Sequence, residues 1–159
     1  MIERNILLSL PEDEFLRHCT LEFFKASGAG GQHRNKTSSA VRVLLNGTEL
    51  RAEDCSERSQ HRNRSNAVRK LKLSIALNMR ASAPVPPERI ECSMEAFDYP
   101  LFAAQLFDVL HANAFDHKRS AEICGISGSK LLKKLFRDPL LYQEFCRQRA
   151  ALGLPKLNP

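Results

Sequence analysis

Alternation of apolar and polar positions is clearest between residues 41 and 53. Val41, Val43 and Leu45 alternate with Arg42 and Leu44, Asn46-Gly47 follows, and Thr48, Leu50 and Ala52 alternate with Glu49, Arg51 and Glu53. A period of two on both sides of an Asn-Gly pair predicts antiparallel strands joined by a two-residue hairpin turn. Upstream, the aromatic and aliphatic residues of 21–26 predict a further strand. Ahead of it, Pro11-Glu12-Asp13-Glu14-Phe15-Leu16 reads as a helix start, with Ser9 as N-cap and acids in the first turn.

The period changes to that of a helix beyond residue 59. Over residues 59–79, Val68, Leu71, Ile75 and Met79 share one face, which would pack on the sheet. Arg62, Arg69 and Arg80 point away from it. Leu73 and Leu77 also lie off that face and call for a second apolar surface, supplied by the C-terminal half.

Pro84, Pro86 and Pro87 end the helix and give residues 81–87 the character of a stiff linker between a domain at 1–80 and a helical module at 88–159. In that module Asp98 can cap a helix through Leu101, Phe102, Leu106, Phe107, Val109 and Leu110, too apolar to stay exposed. A shorter helix runs through Ala121 and Cys124 to a turn at Gly125-Ile126-Ser127, and a third starts from Ser127 as N-cap. The last has Asp138 as N-cap, Pro139 at its first position, and Gly153 and Pro155 past its end. The spacing of Ala121, Gly125, Ile126 and Leu131 resembles a helix-turn-helix. The expected fold class is therefore α+β: a small, mainly antiparallel sheet with a long packed helix, followed by an all-α, helix-turn-helix-like module.

Charge adds a partner to this picture. The chain of 159 residues has 24 Lys and Arg against 18 Asp and Glu, a net +6, which favours a polyanion. From residue 58 to 80 the charged residues are Arg58, Arg62, Arg64, Arg69, Lys70, Lys72 and Arg80, with no acid among them. Lys130, Lys133, Lys134 and Arg137 recur at i, i+3, i+4 and i+7 on the third helix of the module, a stripe suited to phosphates or simply to solvent. The five cysteines lie far apart without a CxxC and read as reduced thiols. No apolar run reaches eighteen residues and the first residues do not form a signal peptide, so a cytoplasmic protein without a membrane partner is expected. No histidine sits in a ligand spacing, and neither metal nor cofactor is expected.

The candidate chemistry lies in Ser27-Gly28-Ala29-Gly30-Gly31-Gln32-His33-Arg34-Asn35-Lys36. Its glycines allow close backbone approach, and His33, Arg34 and Lys36 suit phosphate. It is neither a P-loop nor a dinucleotide-binding loop, and it contains no carboxylate or cysteine to serve as base or nucleophile. Gly28 to His33, Asn35, Ser39-Ala40-Val41-Arg42-Val43 and, later, Glu57-Arg58-Ser59-Gln60-His61-Arg62-Asn63 occur in this order. Together they resemble the GGQ domain of class I peptide chain release factors, shared with codon-independent ribosome-rescue hydrolases. The resemblance covers roughly residues 15–80.

That resemblance implies a ribosome-assisted hydrolase of the peptidyl-tRNA ester, with the large-subunit RNA and the tRNA supplying much of the catalytic apparatus at the peptidyl transferase centre. It implies catalytic roles for Gly30, Gly31 and Gln32, with the Gln32 backbone N–H near the developing oxyanion. His33, Arg34, Asn35 and Lys36 would hold the loop on RNA, although Arg34 stands where such factors more often carry an apolar residue. Arg58, Gln60, His61, Arg62, Asn63, Arg64 and Arg69, with Lys130, Lys133, Lys134 and Arg137, complete the expected RNA contacts; His61, Asn63 and Arg64 suit local backbone caps equally well. The chain has no room for the codon-reading domains of the larger factors, and its end lacks the basic tail common in rescue hydrolases. A monomer acting in codon-independent rescue is the leading expectation. The alternative is a non-enzymatic nucleic-acid-binding regulator whose helix-turn-helix dominates and whose loop is vestigial.

Overall fold

The computed structural model describes residues 3–25 and 39–158. The chain divides into two compact units, Met1–Ile75 and Ala76–Pro159. The first contains helices α1 (Arg4–Ser9) and α2 (Glu12–Leu16), strands β1 (Cys19–Phe24), β2 (Ala40–Leu45) and β3 (Arg51–Asp54), and most of α3 (Gln60–Asn78). The strands form one antiparallel sheet in chain order, with Val43 opposite Leu21 on one side and Ala52 on the other.

Alternation sorts the faces of this sheet. Val41, Val43 and Leu45 are buried, as are Ala67, Val68, Leu71 and Ile75 of α3, and Leu7, Leu8 and Phe15 complete the apolar core. On the opposite face Arg42 bridges Glu22 at 3.1 Å and Glu53 at 2.9 Å, its two cross-strand neighbours, so charge marks the solvated side.

Two local expectations change. The turn after β2 is longer than two residues: Leu45 N–H donates to Leu50 C=O at 2.9 Å and β3 begins only at Arg51. Side chains account for the difference. The Thr48 hydroxyl donates to Leu45 C=O and accepts from Leu50 N–H, while Asn46 accepts from Thr20 Oγ1 of β1 and its N–H donates to His18 C=O just ahead of that strand. Gly47 takes φ 75°, as this loop requires. Ser9 does not cap α2; it ends the unforeseen α1 with its hydroxyl on Asn5 C=O, and α2 starts after Pro11.

The second unit is helical, with α4 (Tyr99–Ala112), α5 (His117–Ile123), α6 (Gly128–Arg137) and α7 (Pro139–Ala151). Ser127 caps α6 by accepting from Lys130 N–H, and Asp138 caps α7 by accepting from Leu140 and Leu141 N–H. Asp116 caps α5 in the same way, whereas Asp98 precedes α4 without a side-chain cap. Gly125 and Gly153 end helices at φ 68° and 69°, where a side chain would be strained. The core is Phe102, Leu106, Phe107, Leu110, Phe115, Leu131, Leu135, Leu141 and Phe145. Two buried polar groups lock it: Tyr99 donates to Asp138 at 2.7 Å, and Arg149 Nη1 donates to Phe115 C=O at 2.6 Å. The α+β expectation holds.

Candidate nucleic-acid interface

The expected catalytic residues Gly30, Gly31 and Gln32, and their neighbours His33, Arg34, Asn35 and Lys36, lie outside the described residues. The frame on either side of them is described. Phe24 and Ala40 are the last paired positions of β1 and β2, so the intervening segment connects two adjacent antiparallel strands.

One side chain fastens the C-terminal root of that connection to the start of α3. Asn63 is fully buried, and its Nδ2 donates to Ser39 C=O at 2.7 Å and to Glu57 C=O at 2.9 Å. Its Oδ1 accepts from Glu57 N–H at 2.9 Å. These bonds use both amide protons and an oxygen lone pair. Of the two roles expected of Asn63, RNA contact or local backbone cap, the described bonds are those of a backbone cap.

The basic run of α3 is sorted in the same manner. Arg64 Nε lies 3.0 Å from Glu12 and Lys70 Nζ 2.6 Å from the buried Asp54. Lys72 is buried, its Nζ donating to Leu8 C=O at 3.2 Å and Leu10 C=O at 2.6 Å, where α1 has run out of its own donors. Burial lowers the Lys72 pKa below the usual ammonium value. Arg58, Gln60, His61, Arg62 and Arg69 are exposed. Arg62 reaches Glu57 only at 3.7 Å with 73% of its side chain open. The structure thus gathers Arg58, Gln60, His61 and Arg62 at the start of α3, and assigns Arg64, Lys70 and Lys72 to internal partners.

Asp54 is the residue that sequence reasoning missed. Burial alone would raise its pKa, but hydrogen bonds from Lys70 and from the Ser56 hydroxyl and N–H outweigh it and hold the carboxyl at about 2. The Asp-x-Ser spacing of 54–56, an Asx turn, was a readable signal.

In the second unit Lys130 and Lys134 both pair with Glu91, at 3.1 and 2.5 Å. Arg137 donates to Cys92 C=O at 3.1 Å, and Lys133 is exposed. Among the described residues no group of three or more His, Cys, Asp or Glu side chains could hold a metal, and no helix is long and apolar enough to cross a membrane.

Residues 12–95 match the RF-1 domain family. The chain is 47% identical over 55 residues to peptide chain release factor 1 of Xylella fastidiosa (strain 9a5c), covering 35% of this chain and 15% of that protein. It is 30% identical over 126 residues to peptide chain release factor 2 of Campylobacter hominis, covering 76% of this chain and 33% of that protein. A 53% identity over 53 residues links it to peptide chain release factor 1 of Polynucleobacter necessarius, covering 32% and 14%. The matched part is thus a third or less of the length of these relatives. No solved structure gives a significant match.

Proposed function

The chain belongs to the RF-1 domain family, with a class I release factor-like GGQ domain, and from that premise we propose that it hydrolyses peptidyl-tRNA on the ribosome without reading a codon. Water adds to the ester carbonyl carbon, the bond to the terminal tRNA oxygen breaks, and the displaced oxygen takes a proton, leaving free peptide and tRNA. The Gln32 N–H would stabilise the oxyanion as it develops, and Gly30 and Gly31 would allow that backbone to approach. The ribosome supplies the proton relay, which is why a loop without base or nucleophile suffices. Arg58, Gln60, His61 and Arg62 would face ribosomal RNA, and the helical unit would hold the protein there.

The observation that carries this reading is the family match over residues 12–95, which contains the loop and the Asn63 anchor at its root. Independence from the codon rests on the resemblance to codon-independent rescue hydrolases, which share this domain. The test is peptide release from purified ribosomes whose decoding site holds a stop codon, a sense codon or no codon. Release in all three states is expected, falling about 100-fold in Gln32→Pro, which removes that N–H, or in Gly31→Ala, whose Cβ would obstruct its approach. Release confined to the stop codon would refute codon independence. No release in any state, together with retardation of duplex DNA, would favour the regulator.

A further inference from the structure

The cationic helix α6 presents two lines of side chains that differ in kind. At 100° per residue Lys130, Lys134 and Arg137 fall on one line, and Ser129, Lys133 and Phe136 on the next. The first line is engaged within its own unit. Glu91 pairs with Lys130 at 3.1 Å and Lys134 at 2.5 Å, and these hydrogen bonds, Lys134's first, hold its pKa below the usual carboxylate value. Arg137 is turned toward Cys92 C=O.

The second line is open. Lys133 is exposed, and Phe136 shows 55% of its surface to solvent. The ring is held: it meets Tyr142 edge to face at 5.1 Å, and Tyr142 is fixed in turn by donating its hydroxyl to Leu157 C=O at 2.6 Å. The Lys156 ammonium lies 5.9 Å from the Tyr142 ring. A large exposed ring rests against a second ring that carries the Lys156 ammonium, and it stands on a helix of four cations and no acid.

From this arrangement we infer that Lys133, Phe136, Tyr142 and Lys156 form a stacking platform for single-stranded RNA. An unpaired base lies on Phe136, and the phosphates on either side reach Lys133 and Lys156. Every base has a π face, so such a contact tolerates many sequences. Base pairs in a duplex keep those faces inside the stack, so phosphate contact alone would give Phe136 no role. A protein partner would need a broader apolar centre than one ring between cations. The inference deepens the ribosomal reading and rests on it for the source of the RNA, but its measurement does not depend on peptide release.

The test uses the full chain, a fluorescein-labelled ten-nucleotide single-stranded RNA of mixed sequence, and the same sequence closed into a duplex, with anisotropy titrations over a range of salt. Tighter binding of the single strand is expected. Phe136→Leu keeps apolar bulk against Tyr142 but removes the π face, and should weaken that binding about tenfold, while Phe136→Trp should stay within about threefold of wild type. Lys133→Gln, at an exposed position, should lower the slope of log K against log salt by about 0.7. Equal affinity for the duplex, wild-type binding by Phe136→Leu, or an unchanged slope in Lys133→Gln would each overturn the platform. Wild-type protein that binds the RNA as expected but releases no peptide from ribosomes would refute the hydrolase reading and leave the platform standing.

Discussion

Replacing Asn63 by aspartate alters one terminal atom and almost no volume, so what changes is hydrogen bonding alone. Nδ2 now donates to Ser39 and Glu57 carbonyls at 2.7 and 2.9 Å, and Oδ1 accepts from Glu57 N–H at 2.9 Å. In Asn63→Asp the acceptor survives, but two buried carbonyls lose their donor and face a carboxylate oxygen. Two lost bonds at about 1–2 kcal/mol each, with the unmet carbonyls, put the cost near 3 kcal/mol at pH 7. The introduced carboxyl can recover one donor by taking a proton, so its pKa in the fold is raised. A raised carboxyl pKa means stability that is fully present below the unfolded value near 4 and lost as pH rises from there through the folded value. The deficit against wild type should therefore shrink between pH 7 and pH 4. Asn63→Ala removes all three bonds, costs about 3 kcal/mol, and should show no such recovery. Urea unfolding followed by circular dichroism at both pH values measures the deficits, and hydrogen exchange at the Glu57 amide reports the site itself. Asn63→Asp within about 0.5 kcal/mol of wild type at pH 7 would refute the reasoning, because buried carbonyls would then need no partner there. Peptide release by Asn63→Ala, measured below its melting temperature, should fall although Gly30-Gly31-Gln32 is intact, since the root at Ser39 is no longer fastened.

The same geometry sets three further outcomes. Asp54, held at about 2, contributes stability that is present above pH 4 and lost as pH falls toward 2. Asp54→Asn should remove roughly 1–2 kcal/mol of it, the half-exposed Lys70 limiting the figure, and flatten the acid limb of a series of melts from pH 5 to 2; an unchanged limb would contradict the assignment. Lys72→Met keeps the side-chain stem but abandons Leu8 and Leu10 carbonyls, so thermal unfolding should report a loss of about 1–3 kcal/mol, and no loss would mean that water replaces the ammonium. Arg62→Gln should lower the salt slope of ribosome binding by about 0.7–0.9, whereas Arg64→Gln, whose guanidinium belongs to Glu12, should leave the slope nearly unchanged; equal effects would show that the ion pair opens on binding.

Much of this fold was legible because short-range rules dictate it. The alternation of 41–45 became β2, the helical period of 68, 71 and 75 became the buried face of α3, and Ser127 and Asp138 cap the helices they were expected to cap. The failures share a cause. Asn46-Gly47 reads as a two-residue turn, but Thr48 and the bond from Thr20 to Asn46 reshape it through a side chain and a neighbouring strand. Asn63 reads as an RNA contact or a local backbone cap; its bonds to Glu57 fit the cap, but the bond to Ser39 C=O comes from 24 positions away. Backbone acceptors leave no trace in residue type, so nothing local distinguishes a buried amide from an exposed one.

The same limit governs the reading of charge. Between residues 58 and 80 no acid interrupts seven cations, yet Glu12 takes Arg64, Asp54 takes Lys70, two carbonyls of the N-terminal segment take Lys72 and Asp108 takes Arg80. Each acid or carbonyl lies at least 16 positions from its cation in the chain, beyond any window in which a charge run is judged. On α6 Glu91 reaches across 39 positions or more to claim Lys130 and Lys134. A cation held this way still contributes to the field, but a phosphate must displace its acid to gain a direct contact, and that exchange returns little. The net charge of +6 therefore overstates how much of the surface is available to RNA. On these two helices the outward-facing groups include His61 and Arg62, with Arg58 just ahead of α3, and Lys133 on α6. Neutralising these few side chains should weaken RNA binding more than neutralising an equal number of the internally paired ones, which is a statement about where the charges are and not how many there are.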